Sequence, residues 1–178
     1  MKIIASIGIS FYLFMLALGI GAVLASGVLV APVIFEAYKL LPESGITNYD
    51  SGIIMTKIFV RLGYGLNALA LIILITELFV FNIASKKSLL LLGLGALNVI
   101  LIFTFTLYYT PAIIELQQEG PASTGTLDFE GLHTQSKMIM EILFVTLSAS
   151  FLWRITSMRL ALPLELKQKQ ARTTRTKK

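Results

Sequence analysis

The chain has 178 residues, 56% of them hydrophobic and only 14% charged, with no cysteine, one histidine and a formal net charge of +5. Ordinary soluble domains carry about 25% charged residues, so this balance and a mean hydropathy of +0.80 exclude that class and point to a membrane protein. Without cysteine there are no disulfides, thiolate metal sites or cysteine nucleophiles, and one histidine excludes a multi-histidine metal cage within the chain.

A helix crossing about 30 Å of hydrocarbon needs roughly 20 mostly apolar residues. Residues 3–35 contain no charge. That run is too long for the h-region of a signal peptide, about 7 to 15 residues, so a retained span is expected over about 7–35, tilted or leaving the bilayer near Pro32. Ala17, Gly21 and Ala25 recur every four residues along it, a ridge that admits another backbone closely, in this bundle or in a partner. A second span is expected over about 53–83, where the apolar run from Leu62 is broken only by Glu77, a residue expected to pair with Lys86 or Lys87. A third follows over about 88–113, and a fourth over about 131–160, broken within its apolar part by Glu141. Small residues for close packing recur in all of these, among them Gly63, Gly65, Gly93 and Gly95. The fold class is therefore all-α, a four-helix transmembrane bundle over residues 1–162. A basic cytoplasmic tail follows over 163–178, read as disordered.

Orientation follows from where lysine and arginine lie, because cytoplasmic flanks keep the positive excess. With four spans, Lys2, Lys86, Lys87, Arg154, Arg159 and six tail residues fall on one side, against Lys39, Lys57, Arg61 and Lys137 on the other. Both termini are expected in the cytoplasm, with the protein in a bacterial-type inner membrane. The tail carries six basic residues and Glu165, so residues 1–162 hold nine charges of each sign. The excess of +5 is thus a topology signal and an attraction to anionic lipid, not a nucleic-acid footprint. The expected partners are the bilayer and either a second copy or another membrane protein.

Charge inside a span must be paired, placed near an interface, or functional. Glu36 closes the first span, Arg61 and Tyr64 share a face of the second, and His133, Lys137 and Glu141 recur every four residues in the fourth. Three residues at that spacing form a stripe about 12 Å long. With Ser136, these side chains are the candidate ligand-binding set for a small polar or ionic molecule in an outward-opening pocket. The competing reading has Arg61 and Lys137 tie helix ends by pairing with Glu36 and Glu141. No nucleotide loop, zinc-protease or serine-hydrolase motif is present. No catalytic residue, metal or cofactor is expected.

Residues 27–35, ending Ala31-Pro32-Val33-Ile34-Phe35, and residues 58–64, ending Arg61-Leu62-Gly63-Tyr64, resemble the membrane family known as domain of unknown function 4149, which includes the transmembrane-protein-205-like proteins. Tyr109-Thr110-Pro111 and the motif Phe129-Glu130-Gly131-Leu132-His133-Thr134-Gln135-Ser136 extend the similarity, which runs over about 10–155. The resemblance implies a four-helix integral membrane protein without a defined reaction. It singles out Arg61, Tyr64, His133 and Ser136, with Pro32, Phe35, Pro111 and Phe129 as structural motif positions.

Overall fold

In hydrocarbon every backbone N–H and C=O must be satisfied within the segment, so each long apolar run has to become a helix. The computed structural model describes the backbone of residues 2–83 and 88–176, and the side chains of 7–83 and 88–157. Its candidate spans are Ile7–Phe35, Asn48–Ile83, Leu89–Gln118 and Leu127–Ser157. These four match the expected runs, and no strand occurs among the described residues. Three of the spans start at a hydroxyl cap. Thr47 and Asp50 exchange bonds with each other's N–H at 2.8 and 3.2 Å, Ser88 accepts from the Leu91 N–H, and Thr126 accepts from the Phe129 N–H. The turn bearing Lys86 and Lys87 lies outside the described residues.

The first and third spans each contain a π-helical segment, Ala25–Val30 and Thr104–Tyr109. Each is followed after one residue by a proline, Pro32 and Pro111, which has no N–H to give to the preceding turn. Lengthening the bond to five residues absorbs the defect: the Ala31 N–H reaches the Ser26 carbonyl and the Thr110 N–H reaches that of Phe105. The Thr110 hydroxyl adds a bond to the same Phe105 carbonyl at 2.9 Å. Pro32 therefore lies within a continuous helix running to Phe35.

The spans pack in the order first, second, third, fourth and back to the first, closing a square. Gly19 meets Leu69, Gly63 meets Thr106, and Gly95 meets Glu77 and Ile73. Gly65 and Gly93, expected to serve similarly, touch nothing that way, and Ala17 and Gly21 are exposed with Ala25 half-buried. The apolar core is built on Tyr12, Leu16, Leu69, Ile73, Ile102, Leu143 and Leu147. Side-chain hydrogen bonds lace it: Asn98 donates to Ser150 at 2.9 Å and accepts from Thr146 at 2.6 Å, and Thr106 donates to Asn67 at 2.7 Å. The fourth helix continues as backbone through the basic segment to Thr176, where the sequence suggests irregular chain. Residues 164–172 are all Leu, Glu, Lys, Gln, Ala or Arg, strong helix formers that carry the helix past Pro163.

One charged contact joins three spans near the end that carries both termini. Arg154 Nη2 donates to both oxygens of Glu77 at 2.5 Å, and the Tyr12 hydroxyl donates to Glu77 Oε1 at 2.7 Å. The Arg154 guanidinium also lies 5.8 Å from the centre of the Tyr12 ring, a cation–π contact. Glu77 and Arg154 are 5% and 7% exposed. Glu77 is held by a cation 77 residues away on the fourth span, while the two lysines expected to pair with it lie outside the described residues. Glu77 lies six residues before Ile83, about 9 Å from the helix end, and its side chain is buried in the bundle.

Removing one partner leaves a buried charge without its counter-ion, so Glu77→Ala or Arg154→Ala should each cost about 3–5 kcal/mol. Replacing both with leucine should recover most of that loss. Unfolding of the micelle-bound protein by sodium dodecyl sulfate would measure the cycle, and single changes as mild as the double would contradict the clamp.

Candidate functional site

At the opposite end of the bundle, where the two longer connections lie, the square opens. Beyond its π segment, Ala31–Phe35 packs on the second span, and a groove lies between it and the fourth. Two cavities meet here. The inner one, about 260 Å³, runs between the second, third and fourth spans past Asn48, Tyr49, Thr110 and Gln117. The wider one, about 570 Å³, lies between residues 23–35 of the first span and 133–145 of the fourth. Phe35, Phe59, Phe105, His133 and Ser136 line both.

His133 is the hinge of this arrangement. Its ring meets the edge of Phe35 at 5.7 Å between centroids and stacks on Phe129 at 6.3 Å, within 4° of parallel. Two aromatic rings on different elements therefore fix the plane of the imidazole. Ser136, one turn on, is buried and donates to the His133 carbonyl at 2.8 Å. Phe59 and Phe105 meet edge to face at 5.6 Å behind them. The Tyr49 hydroxyl donates to the Gln117 carbonyl at 2.5 Å and ties the second span to the third at the loop end of the inner cavity.

The candidate set divides. His133 and Ser136 line both cavities, and Lys137 and Glu141 line the wider one. Glu36 points away, 4.0 Å from Lys39 one turn on, with both side chains 61% exposed. Arg61 and Tyr64 are exposed on the second span and line neither cavity, so the expected convergence with His133 does not occur. Their spacing of three residues places them on a helix face that the square turns outward. The alternative pairing does not tie helix ends: Lys137 pairs with Glu141 at 3.9 Å on its own helix, and Glu36 pairs with Lys39 instead of Arg61. Pro32, Phe35 and Phe129 surround the site directly, whereas Pro111 acts through the π segment that presents Phe105 and Thr110. Asn48, Tyr49, Thr110 and Gln117 are lining residues that sequence inspection misses, since nothing but polarity at a span end distinguishes them.

The pair of Lys137 and Glu141 carries the unusual electrostatics. Glu141 lies 14 residues from Leu127 within a 31-residue helix long and apolar enough to cross a membrane. Yet the side chains are 71% and 65% exposed. A charge within a span costs up to roughly 2.5–3.5 kcal/mol at the bilayer centre and less toward the interface. An exposed pair of this spacing returns only about 0.3–0.5 kcal/mol. Among the described residues no group of three His, Asp or Glu side chains is placed to hold a metal ion.

The four long apolar helices and their internal polar ties define a four-helix integral membrane protein. The chain matches the family described as a domain of unknown function (DUF4149) over residues 14–122, more than half its length, and it belongs to that family. The match ends before the fourth span, so the Phe129 to Ser136 motif stands on its place at the cavity. No curated protein and no solved structure matches the chain.

Because the protein has no cysteine of its own, a single introduced thiol reports access cleanly. His133→Cys should react with a small methanethiosulfonate in the folded protein, and Asn98→Cys, at a fully buried position, should not. Equal reaction at both positions, or none at 133, would show that the cavity is not open to water.

Proposed function

We propose that the protein is a non-enzymatic membrane protein that takes up a small molecule through the loop end of the bundle and holds it at His133 and Ser136. The observation that carries this reading is that two cavities share those residues. Binding sites of this kind are largely apolar and preformed, with a few polar groups that orient the ligand. Here Phe35, Phe59 and Phe105 supply apolar walls, and the fixed imidazole and the Ser136 hydroxyl supply direction. Such walls favour a molecule with apolar surface over a bare ion. The lysine and arginine distribution supports a bacterial-type inner membrane with both termini in the cytoplasm, so that the cavity faces outward.

A second reading, as an accessory subunit, draws support from the ridge of Ala17, Gly21 and Ala25, which this bundle leaves largely uncovered. The two separate experimentally. Mass spectrometry of the detergent-purified protein should detect a co-purifying small molecule that is lost in the His133→Ala, Ser136→Ala double variant without loss of fold. A co-purifying protein chain retained by that variant, with no small molecule, would favour the subunit instead.

A further inference from the structure

The wider cavity is a groove open along the lipid-facing side, since Leu24, Val28 and Val145 on its walls are exposed within their spans. It follows the first span for 12 residues, about 18 Å. Its polar wall is Ser136, Lys137 and Glu141 below His133, and its two charges have opposite sign with side chains 71% and 65% exposed. Among the described residues no third side chain pairs with either charge, so the bundle itself offers them only each other within the span.

We propose that this groove receives the head of a zwitterionic phospholipid bearing a primary ammonium, drawn from the outer leaflet. The proposal rests on the ligand-binding reading above and names the ligand class. A head with one anion and one ammonium answers both side chains: its phosphate meets Lys137 and its ammonium meets Glu141, while His133 and Ser136 supply hydrogen bonds. A head with net negative charge would meet Glu141 unfavourably. The open side lets the acyl chains remain in the bilayer, past Val28 and Val145, which a freely soluble zwitterion would leave uncovered. A second copy of the chain is a poorer occupant, because two concave surfaces facing each other across a two-fold axis do not fill one another.

The test uses the full chain in nanodiscs containing photoactivatable phosphatidylethanolamine or phosphatidylglycerol, with crosslinks mapped to peptides. The ethanolamine lipid should label residues 23–35 and 133–145 about fivefold more than the lipid-exposed face at Ile75 and Phe79, the gain expected from roughly one favourable charge contact. The glycerol lipid should show no such preference. Gly27→Leu should abolish the enrichment by filling the groove, and the fold should survive because a Cβ there meets nothing within 4 Å. Lys137→Gln with Glu141→Gln should remove the preference between lipids. Equal labelling of both faces, equal enrichment by both lipids, or enrichment that persists in Gly27→Leu would overturn the proposal. Competition by excess glycerophosphoethanolamine would also overturn it, by making the free head the ligand. A small molecule lost on His133→Ala, Ser136→Ala substitution but without lipid enrichment would leave the proposed function standing and remove only this assignment.

Discussion

A proline inside a membrane helix poses a problem with few solutions, because the carbonyl it orphans has no water to turn to. This chain meets it twice, at Pro32 and Pro111, and each time the preceding turn widens into a π segment. The consequences reach beyond the backbone. A wider turn changes which side chains face inward from that point on, so the aromatic Phe105 and the hydroxyl of Thr110 arrive at the cavity from one segment, and Phe35 arrives from the other. The loop-end part of the first span then rests on the second and meets the fourth through Phe35 and His133. The groove is thus the geometric remainder of two prolines.

The bundle is closed at one end and open at the other, and the two ends use different forces. At the terminal end Tyr12, Glu77 and Arg154 bind three helices together, and Gly95 of the remaining span packs against the Glu77 side chain. A contact that is worthless in its broken state makes a rigid joint, since separating the helices would strand a charge in hydrocarbon. At mid-depth Asn98, Thr146 and Ser150 add uncharged ties between the third and fourth spans. Toward the loop end the ties thin to Tyr49 with Gln117 and Tyr109 with Gln135, both at the perimeter, while aromatic rings line the interior. Aromatic packing holds shape without filling space completely, which is why volume remains there.

Much of the fold is legible in the sequence because the constraint that makes it is one of length and charge: an apolar run of span length can hardly do anything else. The site is legible only in part. His133 and Ser136 lie one turn apart, and a spacing of three residues ensures that they share a face wherever that face points. Arg61 and Tyr64 share a face by the same rule, but theirs is exposed. Periodicity groups residues on one helix and is silent on rotation about its axis, which only the packing of neighbours decides. The π segments add to this, since each shifts the register of everything beyond it and no sequence rule at hand marks more than the proline.

The two glutamates that interrupt apolar runs make the same point from opposite sides. Glu77 and Glu141 are alike in sequence, each a single acid in a run of Leu, Ile, Phe and Thr. One is buried and held by Arg154 and Tyr12 from two other helices; the other is exposed and reaches only Lys137 on its own helix at 3.9 Å. The first needs nothing more, because its cost of burial is met within the bundle. The second has only an exposed partner one turn away on its own helix, a pair that returns little free energy. What separates the two glutamates is therefore not their chemistry but whether a neighbouring helix supplies the partner. That criterion turns attention from the clamp, where the interactions are strongest, to the groove, where they are incomplete.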